Sequence, residues 1–319
     1  MSLPLVIINP ESAGGATAKA WPGIASELSS HFGPFKPVFT ERSGHARELA
    51  SEAARQGTKL IVACGGDGTA SEVANGILLS GKDAELGILP SGTGGDFRRT
   101  LGISMRTRDA AQVLREGVTR KIDVGRVSFV TQQGEKDTCY FLGVASFGMS
   151  AEVIERVKEN QPEWLPAAAP GWLRGRLAFS ASMIRTALQS PASRVVVQLD
   201  ESHEKHLTVT NLCIANARYF GGGMKIAPDA KLNDGRFDVI TVGDLGAARI
   251  ITNAPRLYLG WHLSMDEVGH TLAEKITARA AERSAVVPIE VDGELPGRLP
   301  ATFQILPEAL RVRCPRKSN

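Results

Sequence analysis

Cysteine is scarce in this chain of 319 residues: Cys64, Cys139, Cys213 and Cys314 lie far apart and form no C-x-x-C pair. That spacing argues against metal or redox roles and suits small apolar residues in a reducing cytoplasm. No segment has the uninterrupted apolar length of a membrane-spanning helix, so any membrane contact is expected to be peripheral. Met1 to Pro10 lacks a basic leading region and a cleavage site, and reads as a short strand rather than a signal peptide. Surplus charge is also missing. Lys and Arg total 37 against 34 Asp and Glu, a net charge of +3. That is not the clustered basic face of a nucleic-acid binder, although it suits a phosphorylated ligand or an anionic surface. Repeats and low-complexity linkers are absent. What remains, 43% hydrophobic and 22% charged residues, is the composition of a globular protein long enough for two domains.

The first third alternates strand, loop and helix. Leu5–Ile8 and Leu60–Cys64 are continuous apolar runs, as strands buried on both faces should be, and Pro37–Thr40 and Leu86–Leu89 complete a set of four. Helical sequence follows at about Thr17–Phe32, His45–Gln56 and Thr69–Leu79. This βαβα order predicts a doubly wound α/β domain over residues 1–124. Beyond it the pattern changes. Gly125–Val130, Cys139–Ala145, Arg194–Leu199, Leu207–Ala215, Phe237–Val242, Leu272–Ala280 and Val286–Val291 are strand-like, many alternating apolar and polar residues. They predict a β-rich domain of antiparallel sandwich or barrel type over 125–301. Helices interrupt it at about Ser150–Asn160, Gly171–Gln189 and Gly246–Leu259.

Gly65-Gly66-Asp67-Gly68-Thr69 joins a buried strand to a helix. Glycines let main-chain amides approach a ligand, and a helix N-terminus attracts phosphate. Asp67 adds a carboxylate where a magnesium ion or a reacting hydroxyl would sit. As a loop residue it is expected to contribute little to the core. The pentapeptide is neither a Walker A loop nor a G-x-G-x-x-G fingerprint. A second loop, Pro90-Ser91-Gly92-Thr93-Gly94-Gly95-Asp96, follows the fourth strand, and Asn9 to Gly15 and Thr40 follow the first two. Strands of an open α/β sheet deliver such loops to one carboxyl edge, where ligands bind. Late in the chain, Asp292-Gly293-Glu294 follows Ile289-Glu290-Val291. By spacing alone it is a hairpin turn as readily as a carboxylate pair.

Taken in order, these motifs, with Phe147-Gly148 and Pro228 to Asp238, resemble the diacylglycerol kinase catalytic-domain family, which includes bacterial lipid kinases, sphingosine kinases and ceramide kinases. The likeness runs through nearly the whole chain. It implies ATP at the carboxyl edge of the first sheet, with Thr40, Gly65, Gly66, Asp67, Gly68, Thr69, Ala70, Ser71 and Thr93 at nucleotide-contacting positions. Asn9 and Ser12 match the loop near ribose and phosphates, and Asp96 is retained, although Gly95 stands where the family usually has Asn. Glu294 would accept the proton of a lipid hydroxyl, with Asp292 supporting it. A magnesium ion would be held by Asp234 and the carbonyls of Lys231 and Arg236. Residues 302–319 would return to the first domain.

The expected activity is therefore that of an ATP-dependent lipid kinase, cytoplasmic and acting on lipid at a membrane surface. An NAD kinase-type enzyme shares Gly65–Thr69 but not the Asp-Gly-Glu and Asn-Asp-Gly motifs. A kinase of another small alcohol, or a non-catalytic nucleotide-binding regulator, would also use the glycine loops. The oligomeric state, a homodimer included, is left open. Trp164 to Leu188 reads either as a core-facing helix or as a basic, Trp-bearing lid that admits lipid; periodicity does not separate the two. His203 and His206 fit a solvated hairpin tip better than a metal site.

Overall fold

The computed structural model describes residues 3–91, 95–159, 182, 185–186 and 192–316. The chain divides into two units, Met1–Asp123 with Pro307–Asn319, and Val124–Leu306.

In the first unit, β1 (Leu5–Ile8), β3 (Leu60–Gly65) and β4 (Glu85–Pro90) are buried along their whole length, which is why they carry almost no polar side chains. β2 (Lys36–Phe39) is a more exposed edge strand. It holds Pro37, which an edge position tolerates. The order is β2-β1-β3-β4, all parallel. The last strand of the chain, β14 (Glu294–Cys314), adds itself parallel to β4 through Arg311 and Val312. Arg313 grips the buried Glu85 with two hydrogen bonds, Nε to Oε1 at 2.9 Å and Nη2 to Oε2 at 2.7 Å. Helices α1 (Ala16–His31), α2 (His45–Arg55), α3 (Asp67–Ser80), α4 (Asp96–Leu101) and α5 (Thr107–Glu116) fill the crossovers. α2 packs on α3 and α1 on α5, as expected when a doubly wound sheet is covered on both faces.

The second unit is built from antiparallel strands. β5 (Val118–Val130) runs into it and pairs with β6 (Lys136–Phe141) from Gly125 onward. β7 (Val144–Gly148) lies between β9 (Lys205–Ala215) and β13 (Pro288–Val291). β10 (Phe237–Gly243) joins β9 to β11 (Val268–Ala273), while β8 (Ser193–Leu199) joins β9 to β12 (Lys275–Ala280). Its core is a cluster of Val, Ile, Leu and Phe in which the Phe141 and Phe237 rings stack at 5.5 Å. Helices α6 (Met149–Glu159) and α7 (Ala247–Leu259) belong to the same unit. The fold class is therefore the one expected, an α/β first domain and a β-rich second one.

Three boundaries differ from expectation. Cys139–Ala145 is split, because β6 ends at Phe141 and β7 starts at Val144, with the amides of Leu142 and Gly143 between them bonded to the Asp292 carboxylate. Leu272–Ala280 is not one strand. The Asp200 carboxylate accepts the amides of Glu274 and Lys275 at 2.9 and 2.8 Å, and the chain changes partner there, from β10 to β8 and β14. Thr302–Leu306 and Leu310–Arg313 are parts of the single strand β14. Glu308 adopts φ +50 within it, and its amide is received by Asp123 at 2.8 Å, so the strand bends without ending. Thr93, and nearly all of the expected helix at Gly171–Gln189 and of the candidate lid at Trp164–Leu188, lie outside the described residues.

Candidate functional site

The loops after β1, β3 and β4 are tied together. Asn9 Nδ2 donates to Thr69 Oγ1 at 3.2 Å, the Ser91 amide donates to the Gly65 carbonyl at 3.0 Å, and Thr17 Oγ1 donates to the Ser91 carbonyl at 2.9 Å. Gly65 is required by packing. A Cβ there would lie 2.4 Å from Thr69 Oγ1 and 2.9 Å from Ser12 Oγ, so two hydroxyls close over a backbone that has no room for a side chain. Asn9, Ser12, Gly65 and Thr69 thus meet at the carboxyl edge of the sheet, with the buried Thr40 at the end of β2, its amide bonded to the Ile8 carbonyl. The N-cap residues of α1 and α3 are glycines, Gly15 and Gly66, which offer no side chain of their own, and in α1 the amides of Thr17 and Ala18 reach the carbonyls of Ser12 and Pro10, each at 3.3 Å. Both N-termini keep the positive end of a helix dipole at the sheet edge. Gly66, Gly68, Ala70 and Ser71 form the start of α3 and the turn leading to it.

Asp67 does more than expected of a loop residue. Its Oδ2 accepts the amides of Gly95 and Asp96 at 2.7 and 2.9 Å, and its Oδ1 accepts that of Phe97 at 3.1 Å. One carboxylate therefore holds the first turn of α4 against the glycine loop. That corrects the expectation that its structural contribution is small: three amides at a helix start need an acceptor, and Asp67 is it. Asp96 is itself buried and paired with Arg99. Gly95, where Asn is usual, has φ +96, and a Cβ on it would fall 2.6 Å from Arg98 Nε. In this chain the Arg98 stem occupies the space beside that position.

In the second unit Asp292-Gly293 is the two-residue loop of a hairpin. Val291 pairs with Glu294, and the loop residues have φ +48 and +87. Two successive left-handed residues are the signature of a type I′ turn, and glycine is favoured at the second. Both meanings of the tripeptide are thus compatible. Asp292 Oδ1 receives the amides of Gly143 and Val144 at 2.9 and 3.2 Å, and its Oδ2 receives that of Leu142 at 2.9 Å. A carboxylate so engaged anchors the turn. Glu294, the first residue of β14, is exposed.

Near the start of α6 lies a cavity of ≈ 100 Å³ with an apolar lining that includes Val153, Met224, Ile226, Ile250 and Leu257. Its polar residues include Ser150 and Asn211. The Asn233-Asp234-Gly235 turn is exposed at Asn233 and Asp234, and Asp234 Oδ1 accepts the Arg236 amide at 3.2 Å. The neighbouring Asp238 is bonded to His270 at 2.7 Å, and burial pushes its carboxyl above the usual range.

Residues 4–127 match the model of the diacylglycerol kinase catalytic domain, and residues 143–314 match that of the YegS C-terminal NAD kinase beta sandwich-like domain. The chain belongs to the diacylglycerol kinase family of lipid kinases. A diacylglycerol kinase of Bacillus subtilis is 30% identical over 280 residues, which are 87% of this chain and 85% of that protein. One from Mycobacterium tuberculosis is 28% identical over 311 residues, covering 97% and 94%. The fold is shared with a crystal structure described as a diacylglycerol kinase from Bacillus anthracis, with a TM-score of 0.70, 20% identity, and coverage of 98% of this chain and 96% of that one.

Within this diacylglycerol kinase family member, sequence reasoning passed over Glu290, Ser146 and Asn211, all buried. The signal was there. Glu290 interrupts the apolar run Ile289–Val291, where a buried carboxylate demands a partner.

Proposed function

We propose that this protein transfers the γ-phosphoryl group of ATP to the hydroxyl of a diacylglycerol- or sphingoid-like lipid. The observation that carries the lipid acceptor is the apolar cavity of the second unit, whose polar residues include Ser150 and Asn211. Such a lining favours an acyl chain over the sugars and charges of NAD. Membership of a lipid kinase family, and relatives named diacylglycerol kinase, support the same acceptor.

The first domain's role is to hold the nucleotide. The crowded Gly65 cradle with Ser12 and Thr69 hydroxyls, and the start of α3 behind a glycine N-cap, suit a polyphosphate, whose anionic oxygens favour a helix N-terminus. Asn9, Thr40, Ala70, Ser71, Thr93 and Asp96 complete the assignment. Asp67 keeps Gly95 to Phe97 in place. In the reaction a hydroxyl oxygen bonds to the γ-phosphorus, the bond from that phosphorus to the bridging oxygen breaks, and ADP leaves. Glu294 receives the hydroxyl proton as the new bond forms. Asp292 acts on Glu294's position through the turn.

For magnesium, the Asp234 carboxylate and the Lys231 and Arg236 carbonyls fit in kind, being hard oxygen donors on an exposed turn. Among the described residues no group of three His, Cys, Asp or Glu side chains forms a metal cluster. A magnesium ion that keeps several waters needs fewer. A bound magnesium neutralises phosphate charge or stabilises a loop.

A chain-length series tests the acceptor. Ile250→Trp narrows the cavity from its α7 side. It should raise KM about tenfold or more for long-chain diacylglycerol, with ATP KM and transfer to a short-chain analogue little changed. Equal loss on short and long chains, or none on either, would remove the cavity from the account.

A further inference from the structure

We infer that Glu290 is a neutral, proton-donating positioning residue that links the polar part of the apolar cavity to the turn bearing Glu294.

Three adjacent strands bring the groups together: Glu290 on β13 is the register partner of Ser146 on β7, and Ser146 is the partner of Cys213 on β9, two residues from Asn211. Glu290 Oε2 contacts Ser146 Oγ; Ser146 Oγ lies 2.6 Å from Ser150 Oγ; Ser150 Oγ lies 2.8 Å from Asn211 Oδ1. Three oxygen-to-oxygen contacts need three protons. The two serine hydroxyls supply two.

The Asn211 end cannot supply the third. Its side chain is fixed with oxygen toward Ser150, because the Ser150 amide also donates to that atom, at 3.1 Å, while Nδ2 donates to Cys213 Sγ at 3.0 Å. Turning the amide over would set two donors against each other. The missing proton therefore sits on Glu290. It donates to Ser146, Ser146 donates to Ser150, and Ser150 donates to Asn211. With Glu290 ionised, one of these short contacts would hold two lone pairs and no proton.

The other carboxyl oxygen, Oε1, accepts the Gly293 amide at 2.6 Å. One neutral side chain thus holds the turn before Glu294 with one atom. With the other it heads a chain ending at Ser150 and Asn211, both in the cavity lining. The surroundings agree. Glu290 is buried, and burial foremost, with Asp292 and Glu294 as like charges, raises its carboxyl to about 7, against the lowering that hydrogen bonding of its ionised form to Ser146 and Gly293 would bring. From β9 it faces Cys213, a thiol that burial also pushes upward. The protonation claim stands on geometry alone; the link to the acceptor rests on the lipid kinase reading.

Glu290→Gln tests both. Glutamine keeps an oxygen for the Gly293 amide and offers an N–H to Ser146, the same pattern as the neutral acid. Unfolding equilibria of wild type and E290Q should be measured between pH 4.5 and pH 8, with kcat and KM for lipid. A carboxyl raised in the folded state binds a proton that the unfolded chain has already released. Wild-type stability should therefore fall relative to E290Q as pH rises from about 4.5 to about 7, by up to about tenfold in the folding equilibrium per pH unit. E290Q should keep kcat within about twofold at pH 6.5, and E290A should lose tenfold or more. Above pH 7 the ratio of E290Q to wild-type kcat should rise. Parallel stability profiles, an E290Q that does not fold, or an E290Q as inactive as E290A would overturn the assignment. If the stability profiles diverge as expected but no lipid is phosphorylated, the proton stays on Glu290 and the lipid kinase reading fails instead.

Discussion

Replacing Asp67 by alanine removes the acceptor of three main-chain amides, those of Gly95, Asp96 and Phe97, at 2.7 to 3.1 Å. Hydrogen bonds to a charged group contribute about 1.5 to 3 kcal/mol each. The three share one half-buried carboxylate and water can reach part of the gap, so the sum overstates the loss; about 2 to 4 kcal/mol is expected for Asp67→Ala. Asp67→Asn keeps one oxygen, which can stay on the Gly95 and Asp96 amides. Its NH2 must then face the Phe97 amide, donor against donor, and about 1 to 2 kcal/mol is lost. Urea unfolding gives these numbers, and amide hydrogen exchange localises them. Gly95 to Phe97 should exchange faster in D67A by more than the global loss of stability, which alone sets the change in β1 and β3, and KM for ATP should rise because Gly95 to Phe97 are no longer held. If D67A kept wild-type stability and wild-type exchange at these three amides while losing turnover, Asp67 would be a reacting group and its anchoring role would be wrong.

Glu294→Gln should lower kcat by about two to four orders of magnitude, the usual share of a general base, with the Kd for ATP within about twofold; isothermal titration and steady-state kinetics separate the two. Asp292→Asn, which tolerates the left-handed turn, should lose about 1 to 2 kcal/mol in urea unfolding and retain more activity than E294Q. A D292N as inactive as E294Q with unaltered stability would make Asp292 a proton acceptor.

The α/β half of the fold was legible because buried parallel strands leave plain apolar runs and glycine loops mark their ends. Gly65 to Thr69 stood out by its glycines, of which Gly65 is required by packing under the Ser12 and Thr69 hydroxyls, while a Cβ at Gly66 or Gly68 would meet nothing within 4 Å. The β-rich half was legible in kind but not in partnership. The break at Glu274 depends on Asp200, 74 residues earlier in the chain, and alternation carries no sign of so distant a contact. Asp67 and Asp292 illustrate a related limit. Both were legible as important carboxylates. What they accept, three amides each, is set by backbone brought in from elsewhere, and that adds an anchoring role to the candidate chemical one. Glu290 went unread because its meaning lies in the proton count of Ser146, Ser150 and Asn211, which only the strand register assembles.

The lipid kinase activity itself is tested most directly by phosphoryl transfer. The full chain would be incubated with ATP labelled at the γ position, magnesium, and mixed micelles carrying diacylglycerol, a sphingoid base or ceramide, with NAD and free sugars in parallel. Label should appear in the organic phase as a phosphorylated lipid, in an ATP-dependent manner, and not in NADP or sugar phosphate. Label in NADP, or ATP binding with no transfer to any lipid, would contradict the account.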